Sequence, residues 1–261
     1  MRRPAPSPAP PGRSVIRHRP PGGIRPGTTI PGAQPRQLGL PQPQPVELAA
    51  AFGGLATTRR KVTVDRDEPP AGTLQGRPVS PVVWDAMARL GYIPYEISVE
   101  EMRFVVGATS GHYGRVAVDA GCGLGAFSRR LRRLGYDVTA IDHSSCSLDV
   151  ARADGYGPQL KYLDADLEDG VPPELPRHGV DLVVARTLVP FLSKPVEWLR
   201  QVRDLWLAPG GQIYLVVPIG EHPLQTGHMT PHEIDVLCEG WQVRRQDHGG
   251  VAWIILRPVA H

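Results

Sequence analysis

Carboxylates and glycines alternate in one short stretch of this chain. Val116-Ala117-Val118-Asp119-Ala120-Gly121-Cys122-Gly123-Leu124-Gly125-Ala126 runs from an apolar segment through a carboxylate into three glycines at every second position. Glycine at that spacing lets a ligand come close to the backbone, because no Cβ stands in the way. A helix starting near Ala126 would turn its free N–H groups and positive dipole end toward that ligand. Written as Gly121-x-Gly123-x-x-Ala126, the turn fits a dinucleotide fingerprint formally. Two acids argue for something else. Asp119 repels a pyrophosphate and suits a cationic ligand, or orients the loop. Asp142 follows the first glycine by about 20 residues, where an acid at a strand tip accepts hydrogen bonds from ribose hydroxyls. The chemistry expected is therefore recognition of a ribose beside a positive charge.

The elements around this turn must position it. Val116–Asp119, Asp137–Ile141, Leu160–Leu163, Val180–Ala185 and Gln212–Val217 are short apolar runs that read as strands, the longer ones buried on both faces. Helices are expected over Ala126–Leu134, Ser147–Asp154 with Ser144 or Ser145 as cap, Lys194–Leu207 and Pro231–Glu239. Trp241–Asp247 and Val251–Leu256 flank His248-Gly249-Gly250 and read as a hairpin. Strand and helix alternate five times before that hairpin. The fold class is α/β: a doubly wound, seven-stranded, mostly parallel sheet with an antiparallel C-terminal hairpin strand. In such sheets ligands bind beyond the carboxyl ends of the strands, at the switch point in strand order. Two cap helices precede the sheet within residues 81–108, one opened by Ser80-Pro81 and one by the capping box Ser98-Val-Glu-Glu101.

Charge divides the chain. Residues 1–61 hold ten Arg and Lys against the single acid Glu47, whereas the remaining residues hold 19 basic and 25 acidic side chains. Thirteen prolines fall in the first 45 residues, with few side chains able to form a core. Residues 1–70 are accordingly expected to be a disordered Pro/Arg-rich tail, a linker or an extension from a misplaced start, with residues 74–261 as the folded domain. The acidic domain argues against a nucleic-acid partner. Neither a secretory signal nor a membrane-spanning run is evident, so a cytoplasmic location is expected. Cys122, Cys146 and Cys238 are odd in number and scattered, which fits neither a disulfide framework nor a zinc site. The Arg run of the helix after the glycines, Arg129, Arg130, Arg132 and Arg133, reads as a solvated face.

Five stretches in order resemble the class I S-adenosylmethionine (SAM)-dependent methyltransferases. The glycine turn resembles that family's Asp/Glu-x-Gly-x-Gly-x-Gly loop, and Val138-Thr-Ala-Ile-Asp142 its ribose-binding strand end. Leu163-Asp-Ala-Asp166-Leu167 is similar to the loop that meets adenine, and Asp181-Leu-Val-Val-Ala-Arg186-Thr187 to the strand behind the methionine moiety. Leu207-Ala-Pro-Gly210-Gly211 is similar to the turn before the fifth strand, and the closing hairpin to the family's seventh. The resemblance spans about Gly111 to Leu256. It implies that Gly121, Cys122, Gly123 and Gly125 carry the amino-acid part of SAM. Asp119 would orient the loop or the amino group, and Asp142 would hold the ribose. Asp166, with Asp164 as competitor, would meet the adenine amine beside Leu167, while Arg186 and Thr187 would line the methyl-donor side.

The activity implied is methyl transfer from SAM to an oxygen or nitrogen of a small molecule, a setting in secondary metabolism fitting the Pro-, Arg-, Gly- and Ala-rich composition. No Asn-Pro-Pro-Tyr or Asp-Pro-Pro-Tyr follows the fourth strand, which argues against adenine or glutamine as acceptor. If the acceptor must lose a proton, His112, His222, His228 and His232 are candidate bases, and no metal is expected. Trp84, Tyr92, Tyr95 and Tyr113 either cover the acceptor or pack the cap helices. The competing readings are a SAM-fold protein that binds without methylating, cyclase-like, and an NAD-dependent oxidoreductase. The last of these predicts a glycine at position 126 and no acid at 119.

Overall fold

A computed structural model describes residues 74–92, 95–109, 115–222 and 225–259. The expected tail, the lead-in at 111–114 and its His112 and Tyr113 lie outside the described residues. Seven strands form one sheet: β1 (Val116–Ala120), β2 (Asp137–Asp142), β3 (Leu160–Asp164), β4 (Val180–Arg186), β5 (Leu207–Pro218), β6 (Trp241–His248) and β7 (Val251–Pro258). Their order is β3-β2-β1-β4-β5-β7-β6. β1 to β5 run parallel, and β7 pairs antiparallel with both β5 and β6. The order reverses between β1 and β4, so the ends of those two strands frame the crevice where ligands bind in such sheets.

Alternation along the strands sends side chains into two cores. Val118, Ala120, Val183 and Ala185 face one layer, which holds Trp198 and Trp206. Ala117, Leu182, Val184 and Tyr214 face the other, with Phe104, Phe127 and Leu131. That second layer is built by α2 (Val99–Ala108) and α3 (Ala126–Arg133), and its neighbour α4 (Ser145–Ala153) starts at a Ser144 cap whose hydroxyl accepts from Ser147 N at 3.1 Å. The hairpin turn Gly249-Gly250 has φ of 56° and 80°, as a tight primed turn joining twisted strands requires.

Several expectations shift. Residues 165–179 connect β3 to β4 without a helix, because Gly170, Pro172, Pro173, Pro176 and Gly179 break any helical run. The helix before β5 is regular only as α5 (Pro195–Gln201) and widens into a π-type turn over Val202–Trp206. β5 starts at Leu207, not Gln212, because the Pro209-Gly210-Gly211 segment forms a bulge between the Val180–Leu207 and Leu182–Gln212 pairs. α6 (Pro231–Leu237) carries the complete capping box, made by Thr230 and Glu233. The Ser98 box is only half formed: Ser98 accepts from Glu101 N at 3.0 Å, but the Glu101 carboxylate turns inward to Arg186.

α1 (Pro81–Arg89) packs beside α4 and is preceded by a strap, residues 74–80. Gly76 N donates to Ser193 O at 3.2 Å and Arg77 N to Pro190 O at 2.9 Å. Arg77 then reaches Gln225 O and Glu233 with its guanidinium. Gly76 lies so near this turn that an added Cβ would stand 1.7 Å from Leu192 O. A backbone atom cannot yield that distance, so Gly76→Ala is expected to unseat the strap. Amide hydrogen exchange at Gly76 and Arg77 reads this: faster exchange than wild type is expected, and unchanged protection would contradict the strap's role.

Candidate functional site

A cavity of about 360 Å³ opens at the strand ends named by the sequence. Its floor is the turn after β1. Gly121, Gly123 and Gly125 have φ of 67°, 52° and 72°, a left-handed alternation that residues with a Cβ rarely adopt. Gly121, Cys122 and Gly123 line the cavity, and a Cβ on Gly123 would meet no protein atom. Gly125 does not line it. It is buried, and a Cβ there would stand 2.6 Å from the Tyr162 hydroxyl and 3.0 Å from Ala151, so its part is helix–sheet packing. Burial holds the Cys122 thiol well above its ordinary pKa, as suits a filler.

The N–H groups of the turn are largely occupied. Cys122 N donates to Ile141 O at 2.9 Å, Gly123 N to Asp142 Oδ2 at 2.8 Å and Gly125 N to Cys122 O at 3.0 Å. A phosphate-binding loop needs such donors free. Asp142 closes the turn with one oxygen and accepts Ser144 N with the other, at 2.9 Å. Burial raises its carboxyl, against the Ser144 and Gly123 N–H groups that favour the anion. Each oxygen keeps a lone pair for a further donor.

The remaining predicted residues divide between cavity and scaffold. Asp166 and Leu167 line the cavity, whereas Asp164 does not. Asp166 accepts Glu168 N at 2.9 Å, and Glu168 in turn accepts Ser193 N at 2.6 Å and the Ser193 hydroxyl. Arg186 and Thr187 line the opposite end. Asp119 lies outside the cavity lining at 2% exposure, bound to the Ser128 hydroxyl at 2.5 Å. It points to α3 because it shares the face of Ala117, and it braces the loop from below. His222 and His228 also stand away from the cavity lining, His228 turning Nδ1 toward Thr226 O. His232 is exposed on α6.

Sequence reasoning missed four participants. His143 lines the cavity, and its position directly after Asp142 was the available signal. Glu101 is 2% exposed and binds Arg186 through both oxygens, at 2.7 and 3.0 Å; it looked like a helix cap. Phe191 meets Trp84 edge to face at 4.8 Å. Asp85 on α1 accepts the Ser144 hydroxyl at 2.6 Å, which ties the roof to the element holding Asp142. Trp84 and Tyr92 line the cavity, and Tyr95 packs in the α2–α3 layer.

Comparisons with known proteins agree with this geometry. Residues 118–215 match the family model described as a methyltransferase domain. A ubiquinone biosynthesis O-methyltransferase of Vibrio cholerae serotype O1 is 25% identical over 122 residues, 46% of this chain and 49% of that protein. The chain thus spans about half the length of the curated relatives it matches. A SAM-dependent methyltransferase from Aquifex aeolicus superposes with a TM-score of 0.54 at 18% identity, covering 66% of this chain and 96% of that one. The [4+2]-cyclase SpnF superposes with a TM-score of 0.55 at 16% identity, covering 73% of this chain and all of that one. Residues 118–215 are thus similar to a methyltransferase domain, and the fold is one that SAM-dependent methyltransferases adopt.

Burial raises the Asp119 carboxyl from 3.8 to about 6, although the Ser128 hydroxyl and the Arg186 charge pull it down. The folded protein then binds more protons than the unfolded chain between those pH values, so this group's contribution to stability falls as pH rises through them. Thermal melts of Asp119→Asn across that interval should lack this component of the wild-type decline. An identical pH slope in the two proteins would contradict it.

Proposed function

We propose that the chain transfers a methyl group from SAM to an oxygen or nitrogen of a flat, apolar small molecule. One observation carries the reading: the cavity is continuous from Asp166 and Asp142, past the glycine turn, to an apolar roof. Its residues fit SAM at the near end. Asp142 offers lone pairs to ribose hydroxyls, Asp166 an acceptor for the adenine amine, and Leu167 an apolar edge. Cys122 and the glycines give close backbone approach, and the engaged turn N–H groups favour a ligand without phosphate. The acids along this wall, Asp142, Asp166 and Glu168, also favour a cation.

SAM supplies the activated methyl as a sulfonium substituent, which leaves the protein to orient and to exclude water. Val79, Pro81, Trp84, Met87, Phe191 and Leu192 form the apolar part. An edge-to-face aromatic pair suits a ring edge or face, and ring contacts of this kind are worth about 0.5–1.5 kcal/mol beyond area burial. α1 closes this side through the Asp85–Ser144 bond, and the strap holds α1 in place. The relatives' name, ubiquinone biosynthesis O-methyltransferase, supports oxygen as the acceptor atom. Site residues and acceptor are thus assigned on chemistry: Asp142 to ribose, Asp166 to adenine, Trp84 and Phe191 to the acceptor. The folded domain is assigned to residues 74–261, with 1–70 as a separate tail.

A SAM-fold protein that does not methylate is the second reading, favoured by the apolar roof and by the distance of His222 and His228 from the cavity lining. Substrate-dependent formation of S-adenosylhomocysteine from SAM separates the two. Phenols and aromatic amines should support it, and tight SAM binding with no product across such a panel would favour the second reading. Asp142→Ala should weaken S-adenosylhomocysteine binding by more than about tenfold, since hydrogen bonds to a charged group contribute about 1.5–3 kcal/mol. Wild-type affinity in calorimetry would refute the ribose assignment. Trp84→Ala should raise KM for the acceptor and leave S-adenosylhomocysteine affinity within about twofold; the reverse pattern would move Trp84 to the cofactor.

A further inference from the structure

The strap borders two cavities. One is the cavity of about 360 Å³ described above. The other, of about 320 Å³, opens between the strap and the start of α5. Val79 and Ser80 line only the first, Gln75 and Gly76 only the second, and Pro78 lines both. The turn opposite divides in the same way, with Leu192 in the first cavity and Ser193 in the second. Backbone pairing closes the wall between them where Gly76 N donates to Ser193 O and Arg77 N to Pro190 O. Pro78 has no N–H with which to continue that pairing. Beyond Arg77 the boundary is therefore the exposed Pro78 ring.

Volume links the two cavities. Small-molecule pockets measure about 300–1,000 Å³, and SAM alone is a ligand of that class. At about 360 Å³ the first cavity has room beside the cofactor for little more than a ring under Trp84 and Phe191. Any larger acceptor must extend out of it, and the way across Pro78 leads into the second hollow. The chemistry there differs from that of the apolar roof. Lys194 and Glu197 pair at 3.3 Å, so neither sign of charge dominates. The Ser193 hydroxyl already donates to Glu168 and keeps only acceptor capacity. Gln75 is exposed, and its side-chain amide has no protein partner among the described residues, which leaves both a donor and an acceptor to offer. Val196 adds an apolar wall. We propose that this hollow is an outer subsite for the acceptor, and that it takes a neutral arm carrying both a hydrogen-bond donor and an acceptor, as an amide does. The proposal rests on the methyl-transfer reading above and adds a substrate class to it: aromatic acceptors with an amide-bearing side arm.

Four phenols that share one ring test it on the full chain with S-adenosylhomocysteine bound. 4-Ethylphenol, N-acetyltyramine, tyramine and 3-(4-hydroxyphenyl)propionate carry an apolar, an amide, a cationic and an anionic arm. Calorimetry should rank the amide first, by more than about fivefold over 4-ethylphenol, as one added hydrogen bond predicts. Gln75→Ala should reduce that preference, and Val196→Phe, which narrows the hollow, should abolish it. Equal affinity for the amide and 4-ethylphenol, or a preference for either charged arm, would overturn the outer subsite alone. So would an unchanged preference in Gln75→Ala, or equal weakening of both phenols, which marks a role in seating the strap. Should Val196→Phe fail to fold, the exposed Gln75→Ala decides by itself. Binding of none of the phenols would overturn the acceptor reading together with the subsite, whereas a chain that does not bind S-adenosylhomocysteine refutes the SAM reading itself.

Discussion

One carboxylate holds the crevice together. Asp142 ends β2, accepts the amide of Gly123 across the gap to β1, and accepts the amide of Ser144 at the start of α4. Ser144 then passes its hydroxyl to Asp85 on α1. Glycine turn, second strand, next helix and roof therefore meet on a single side chain and its neighbour. Two acceptor oxygens let one side chain make both bonds and still keep a lone pair on each. The carboxylate thereby gives Gly123 N a fixed partner inside the protein in place of water.

The electrostatic layout extends from that point. Acids collect at the β2–β3 side and beneath the turn, and the cavity's guanidinium stands at the β4 end. Removing these groups from water is costly, and each is compensated differently. Asp119 has the Ser128 hydroxyl, Asp142 has two backbone N–H groups, and Glu101 has Arg186 and Tyr214. Breaking a buried pair by removing one partner costs about 3–5 kcal/mol, which makes the Glu101–Arg186 pair a strict joint between α2 and β4. The roof is less demanding. The strap and an aromatic pair seat α1, and these contacts lie near the surface.

Much of this was legible in the sequence because local chemistry dictated it. Apolar runs ending in an acid or glycine marked the strands, and the alternating glycines had few conformations open to them. Asp142 and Asp166 stood at fixed offsets from those signals. Connections were less legible: the β3–β4 link lacks a helix, and a bulge moves the start of β5 to Leu207. Those depend on pairing between distant strands. Glu101 is the instructive miss. Its spacing from Ser98 satisfied a local motif, but a buried guanidinium 85 residues later bound its carboxylate. Gly125 and Asp119 belonged to the right motif and yet serve the scaffold: Gly125 packs closely on Tyr162 and Ala151, and strand alternation turns Asp119 toward Ser128 on α3.

The central claim is that this crevice is built for a cationic nucleoside without phosphate. Calorimetric titration of the wild-type chain with S-adenosylhomocysteine, SAM and NAD tests it most directly. The account predicts one saturable site for the first two ligands and no heat of binding for NAD. Saturable NAD binding without binding of either SAM or S-adenosylhomocysteine would contradict it.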